Sequence, residues 1–177
     1  MQFALLVLLT IPTRIIRDQT TMPQSHEHYM AQAIALSREA YNRGDWPVAA
    51  LIVKDDVVIG SGQNRQVTRT DITWHAETDA IRDAMSRLDS TDLSGSVIYA
   101  PMEPCPMCAW AIRSAGIARM VVALRHASIQ RTDLGDYTME RFGTLVHWKF
   151  EMICGVMEED YRSLRMEWMA QEVSKAA

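Results

Sequence analysis

The sequence has few cysteines, no excess of positive charge and no apolar run long enough to span a membrane. Three cysteines in 177 residues exclude a disulfide-rich scaffold and favour a reducing compartment, so we expect a cytoplasmic protein without a membrane partner. Eighteen Lys and Arg against 22 Asp and Glu give a formal net charge of -4, which counts against a strongly basic nucleic-acid-binding surface. A small-molecule partner fits this charge better.

Length and composition predict one folded domain. The chain is 48% hydrophobic and 23% charged, which is the usual globular mixture. The apolar run from Phe3 to Pro12 is shorter than the roughly 20 residues that a membrane-spanning helix needs. It also lacks the preceding basic residue and the small-residue cleavage site of a secretory signal. We therefore expect residues 1–21 to be an extension outside the fold, with an over-long start before Met22 or a signal peptide as alternatives, and residues 22–177 to form the domain.

Hydrophobic periodicity predicts alternating helices and strands after Ser25. Strands joined through helices of ten to fifteen residues form parallel pairs, whereas the polar turn at 54–56 indicates an antiparallel hairpin. The predicted fold class is therefore α/β, a three-layer α/β/α sandwich with a mixed sheet of about five strands. Helices are expected over about 26–43, 75–88, 104–115 and 160–173, strands over 48–53, 57–59, 96–100, 120–124 and 146–153, and long loops over 60–73 and 125–136. Cys154, at the end of the last strand, is expected to be a buried free thiol.

Two short motifs carry the chemistry. Pro104-Cys105-Pro106-Met107-Cys108 places two thiols three residues apart at the start of a helix, where they share one face. The partial positive charge of a helix N-terminus lowers thiol pKa, and thiolates bind zinc. Catalytic zinc takes three protein ligands, and His75, at the start of another helix, is the nitrogen donor that completes the set with Cys105 and Cys108. Structural zinc would need a fourth protein ligand, which neither motif supplies.

Glu77 follows His75 by two residues, about 200° around an ideal helix, which places it poorly for binding the same metal. A carboxylate that is not a ligand suits proton transfer. Zinc brings the pKa of its water toward neutrality, and Glu77 can take that proton and deliver it to a leaving amine. These residue types in this order favour hydrolytic deamination, with Glu77 as the catalytic residue.

The segments His75-Ala76-Glu77 and 104–108 resemble the paired motifs of the cytidine deaminase superfamily of zinc nucleobase deaminases. Over most of residues 26–170, the order of elements is similar to the branch that contains bacterial guanine deaminases, tRNA adenosine deaminases and fungal cytosine deaminase. The resemblance implies a zinc-dependent hydrolase that forms a homodimer. It also implies that Asn64 contacts the substrate base and that the backbone N–H of Ala76 meets a ring carbonyl or nitrogen.

Two residues depart from that branch. Trp74 stands where a small residue is common, and Ala49 stands where a glycine is usual. An indole beside the zinc histidine is expected to narrow or cap the pocket.

Three functions remain open from the sequence. The favoured one is a zinc-dependent hydrolase that removes the exocyclic amine of a free nucleobase or small nucleoside, with a guanine-like purine slightly ahead of cytosine. The first alternative is a tRNA adenosine deaminase that converts adenosine to inosine, with tRNA as partner, although the acidic net charge counts against it. The second alternative is a non-catalytic, zinc-stabilised interaction module, for which Glu77 has no evident use.

Overall fold

A computed structural model of the protein describes residues 24–129, 131 and 133–176. The expected extension at 1–21 lies outside these residues, so the proposed domain boundary stays a prediction. Along the described chain the elements are α1 His26–Asn42, β1 Ala49–Lys54, β2 Val57–Gln63, α2 Ala76–Leu88, β3 Val97–Met102, α3 Pro106–Ser114, β4 Arg119–Leu124, a 3-10 turn at Ala127–Ile129, α4 Met139–Leu145, β5 Glu151–Cys154 and α5 Glu158–Ala176. Across the same residues, every helix is too short or too polar to cross a bilayer.

The sheet is mixed and has five strands in the order β2-β1-β3-β4-β5. Strand β1 pairs antiparallel with both β2 and β3, while β3, β4 and β5 run parallel. Helices α1 and α5 pack together and contact the central strands, whereas α2 packs on β1, β2 and α3. Successive residues of β2 face opposite sides of the sheet. The side chain of Gln63 donates to the Leu36 carbonyl of α1 on one side, whereas Gly62 lies against α2 on the other. The predicted three-layer α/β/α fold is confirmed.

Local sequence explains where the site-bearing helices begin. Cys105 is the N-cap of α3, and Pro106 occupies its first turn, where a missing backbone N–H costs little. His75 is the N-cap of α2, and the acids Glu77 and Asp79 lie in the first turn, where the helix dipole favours negative charge. Both helices therefore start at the motifs, as predicted.

Three elements differ from expectation. Strand β2 continues through Gly60 to Gln63, although that segment was expected to begin a loop. The helix α4 was not predicted, and the last strand is confined to Glu151–Cys154. Cys154 is exposed rather than buried, because it ends β5, an edge strand of the sheet.

Helix α2 lies so close to β2 that two positions of the strand have no room for a side chain. A Cβ added at Gly62 would stand 2.2 Å from the Ala80 nitrogen and 2.3 Å from the Ala76 oxygen. A Cβ at Gly60 would stand 2.6 Å from both the Ala80 oxygen and the Ala84 Cβ. Small residues on both sides thus let the helix backbone touch the strand, which fixes where α2 begins.

Acidic residues of α2 also complete the hydrogen bonding of this edge strand. The Ser61 N–H donates to Asp83 at 2.9 Å, and the Gln63 N–H donates to Asp79 at 3.1 Å. These N–H groups would otherwise face outward from the sheet edge and invite pairing with another chain. The helix therefore covers the edge and is held in register along it.

We expect Gly62→Ala to lower the free energy of unfolding by about 1 to 3 kcal/mol or more, because the new methyl group overlaps helix backbone that cannot move aside. Chemical denaturation measures this change. Ser61→Ala is the matched control, since its side chain lies on the other face of the same strand and should change stability little. Equal denaturation midpoints for the two variants would contradict the close approach.

Candidate active site

The two sequence motifs meet where α2 and α3 begin. The Nδ1 atom of His75 lies 3.5 Å from the Sγ of Cys105 and 3.5 Å from the Sγ of Cys108. Among the described residues, these three form a group whose ligand atoms all lie within 4.8 Å of one another. The structure therefore brings together the three predicted metal ligands.

The geometry and chemistry of this group fit zinc. Zinc–sulfur bonds of about 2.3 Å and zinc–nitrogen bonds of about 2.0 to 2.1 Å, at tetrahedral angles, put nitrogen about 3.6 Å from sulfur. The observed separations of 3.5 Å are close to this value. Two sulfurs and one imidazole are a borderline-soft set, which selects zinc over magnesium or calcium.

Hydrogen bonding within the group favours a thiolate. A hydrogen bond from Cys108, reinforced by the His75 imidazole, lowers the pKa of Cys105 to about 4. The hydrogen bond between Cys105 and His75 raises the pKa of His75. Cys108 is more deeply buried, and its contact with Cys105 together with burial raises its pKa well above the ordinary value. As the pH rises, the thiol of Cys105 thus ionises first and that of Cys108 second.

Glu77 lies beside the ligands without joining them. Its side chain is only 3% exposed, and the Sγ of Cys108 lies 3.5 Å from its Oε2 atom. Burial raises the pKa of Glu77 to about 7. A carboxyl group with that pKa can both accept and release a proton near neutral pH.

A cavity of about 170 Å³ opens over His75, Glu77 and Cys105. This volume is below the roughly 300 to 1,000 Å³ of sites for drug-sized ligands, so the cavity suits one small heterocycle. Its remaining described lining residues are Trp46, Val48, Asn64, Gln66, Met102, Glu103, Arg131 and Arg165. A larger cavity of about 680 Å³ beside α4 and β5 contains none of the motif residues.

The two predicted substrate contacts occupy different positions. Asn64 lines the cavity and is buried, with its amide donating to the Gln66 side chain at 2.8 Å and its Oδ1 accepting from the Gln66 N–H at 3.1 Å. Ala76 is fully buried as the first residue of α2 and is not among the lining residues. The contacts of both residues with substrate stay predictions.

The expected role of Trp74 is wrong. Its indole N–H donates to Asp79 at 2.9 Å, and the guanidinium groups of Arg69 and Arg82 lie over the ring. Trp74 is not a lining residue; the indole in the wall belongs to Trp46. The indole turns away because an acid and two cations offer it better partners outside the cavity.

Sequence reasoning missed several cavity residues, of which Glu103 and Arg165 are the most informative. Glu103 directly precedes the Pro-Cys motif and is buried, so its position next to metal ligands was a usable signal. Arg165 lies far along the chain on α5, where an arginine in an amphipathic helix resembles any solvent-facing residue. Only the docking of α5 brings it to the cavity.

Comparison with known proteins identifies relatives of this arrangement. Residues 23–124 match the sequence profile of the cytidine and deoxycytidylate deaminase zinc-binding region. The chain is 37% identical over 113 residues to a guanine deaminase of Bacillus subtilis, covering 63% of this chain and 72% of the relative. It is 38% identical over 143 residues to a tRNA-specific adenosine deaminase of Haemophilus influenzae, covering 76% and 77%. The solved guanine deaminase from Nitrosomonas europaea superposes with a TM-score of 0.74 at 25% identity, covering 82% and 85%.

We expect one zinc ion per chain in protein purified without chelator. Cys105→Ala and Cys108→Ala should each lose most of the metal and lower thermal stability, because two ligands hold zinc far less tightly than three. Metal analysis by mass spectrometry gives the content, and Cys154→Ala is the matched control that should keep full zinc. Full occupancy in Cys105→Ala would contradict the ligand assignment.

Proposed function

This chain belongs to the zinc-dependent cytidine and deoxycytidylate deaminase family, and on that premise we propose that it removes the exocyclic amine of a free nucleobase or small nucleoside. Among such substrates, a guanine-like purine is preferred to cytosine in this proposal. The observation that carries the proposal is a buried carboxyl group, Glu77, beside a three-ligand metal site at the floor of a small cavity. Two relatives of different specificity have nearly equal identity, so the choice of substrate rests on the site.

The proposed roles follow from position. His75, Cys105 and Cys108 hold zinc, which when bound supplies the Lewis acidity that makes water nucleophilic near neutral pH. Glu77 takes a proton from the attacking water and passes it to the departing amine. The carbon–nitrogen bond breaks and ammonia leaves, while the second proton of the water moves to the neighbouring ring nitrogen, so that an oxo group replaces the amine. Asn64 and the Ala76 N–H orient the ring.

Charge pairing around the cavity favours a small substrate over tRNA. Arg125 pairs with Glu103 and Glu140, Arg131 with Asp133, and Arg141 with Asp136. Guanidinium groups that already face carboxylates offer little attraction to phosphates, whose neutralisation dominates nucleic-acid affinity. These three arginines therefore offer little free positive charge for the tRNA-editing alternative.

A buried acid argues against the second alternative, a non-catalytic module. Burying a carboxyl group without need costs free energy, and a purely structural zinc site uses four protein ligands rather than three. We further infer a homodimer from the family, and the exposed side chains of Met107 and Trp110 on α3 are compatible with a subunit contact.

Glu77→Gln should keep zinc and the fold but reduce turnover by about 10² to 10⁴, because the amide preserves shape and cannot shuttle protons. Ammonia release and zinc content are measured on the same preparations. Glu27→Gln is the matched control, since Glu27 is the second residue of α1 as Glu77 is of α2, yet is exposed. Retention of more than roughly a tenth of wild-type turnover would contradict the general-base role.

The substrate class is tested by steady-state kinetics on guanine, adenine, cytosine and their nucleosides beside a tRNA anticodon stem-loop at matched salt. We expect ammonia from a free base, with guanine ahead of cytosine, and little inosine in the stem-loop. Efficient inosine formation with no ammonia from any free base would replace the proposal with tRNA editing.

A further inference from the structure

We propose that Trp46 determines whether the site accepts a free base or a nucleoside, because its indole stands where a sugar would have to leave the cavity. The preferred substrates are then heterocycles that carry no sugar. This inference rests on the proposed function, since it narrows the substrate class of that site and assigns the choice to one side chain.

Trp46 forms the outermost part of the cavity wall. Among the described lining residues, it is the one that is exposed, at 37%. The reactive groups lie deeper, since His75 and Cys105 are half-buried and Glu77 is buried. The indole therefore borders the opening through which the cavity reaches solvent.

The cavity has room for a ring but not for a ring with its sugar. Its volume of about 170 Å³ is well below the roughly 300 Å³ of the smallest sites for drug-sized ligands. The amine-bearing carbon has to reach the metal ligands and Glu77, so a sugar on the same ring extends toward the opening. There it meets the Trp46 indole, a large flat apolar group whose one polar atom is a donor.

The backbone on both sides of Trp46 is fixed by hydrogen bonds to remote parts of the chain. The carboxylate of the buried residue Asp45 accepts from the N–H of Thr68 at 3.0 Å and from its hydroxyl at 2.8 Å. The carbonyl of Pro47 accepts from the buried hydroxyl of Tyr161, on α5, at 3.0 Å. Moving Trp46 out of the wall with its backbone would break these bonds.

The indole of Trp46 is also supported by α5. Its ring centroid lies 5.4 Å from that of Trp168, with 42° between the ring planes. The guanidinium of Arg165 lies 5.3 Å from the centroid of the Trp168 ring, which holds Trp168 between an indole and a cation. Rotation of the Trp46 side chain away from the opening would separate the two indoles and lose their contact. The indole is therefore a restrained part of the wall.

The half-buried polar residues of the wall already have partners and are poorly suited to replace the water around a sugar. The Gln66 side chain accepts from Asn64 at 2.8 Å. The guanidinium of Arg131 forms two hydrogen bonds with Asp133. A sugar hydroxyl that leaves water without finding a partner lowers affinity, so the wall disfavours a nucleoside by polarity as well as by size.

The test compares binding of hypoxanthine, 9-methylhypoxanthine and inosine by calorimetric titration of the zinc-loaded protein. The methyl compound and inosine both lack the N–H at position 9, so the difference between them isolates the sugar. Wild-type protein should bind inosine at least about tenfold more weakly than 9-methylhypoxanthine, because atoms forced against a packed wall cost affinity on that scale.

Trp46→Ala should remove most of this difference by admitting the sugar, while Trp46→Phe, which keeps a ring in the wall, should retain most of it. Trp46→Leu, a milder truncation, should remove part of it and is decisive if the alanine variant does not fold. Ile72→Ala is the control, because Ile72 is exposed and does not line the cavity. Zinc content and the denaturation midpoint are measured on every variant, so that a loss of fold is recognised as such.

The outcomes separate this inference from the proposed function. An unchanged difference in the truncated variants, or an equal loss of affinity for all three compounds, would assign Trp46 a structural role and overturn the inference. Equal binding of inosine and 9-methylhypoxanthine by wild-type protein, or no binding of any of the three, would overturn it as well. Discrimination that depends on Trp46, in a protein that releases no ammonia from any base, would support the inference while refuting the proposed deamination. Ammonia release from guanosine as efficient as that from guanine would do the reverse.

Discussion

The close contact between α2 and β2 is the constraint on which the site depends. Gly60 and Gly62 leave no side chain between strand and helix, so the end of β2 and the start of α2 lie next to each other. The strand end leads into Asn64, and the helix start presents His75 and Glu77. A larger residue at either glycine would displace the metal histidine and its neighbouring acid together, because both belong to one rigid helical turn. The packing of α2 on β2 in the core therefore also sets the position of the reactive groups in the cavity.

The cysteine side of the site is held by a second device. Glu103 follows the last residue of β3 and directly precedes the Pro-Cys motif. Its carboxylate accepts hydrogen bonds from Arg125, from the His126 N–H and from the Met139 N–H. The Tyr137 hydroxyl donates to the Pro104 carbonyl at 2.9 Å. One buried carboxylate thus joins the ends of two parallel strands to the start of α4, and it satisfies the buried N–H groups of His126 and Met139. The two thiols sit on this frame, opposite the histidine.

What the sequence could predict follows from how local each feature is. His75, Cys105 and Cys108 were predictable because their chemistry depends on spacing within short motifs at helix starts. The extension of β2 was missed because Gly60 and Gly62 are typical of loops, and their reason, a helix backbone, is remote in sequence. The orientation of Trp74 depended on Asp79, Arg69 and Arg82, whose positions no local rule supplies. The cavity wall from α5 required the tertiary fold itself, since Arg165 is about 90 residues from His75 along the chain.

The residues of that wall lie outside the segment that matches the family profile. The segment shared with the family profile ends at residue 124 and contains the metal ligands and Glu77, while Arg165 and Trp168 lie beyond it. A substitution at Arg165 would therefore change the wall of the cavity without replacing a metal ligand or Glu77.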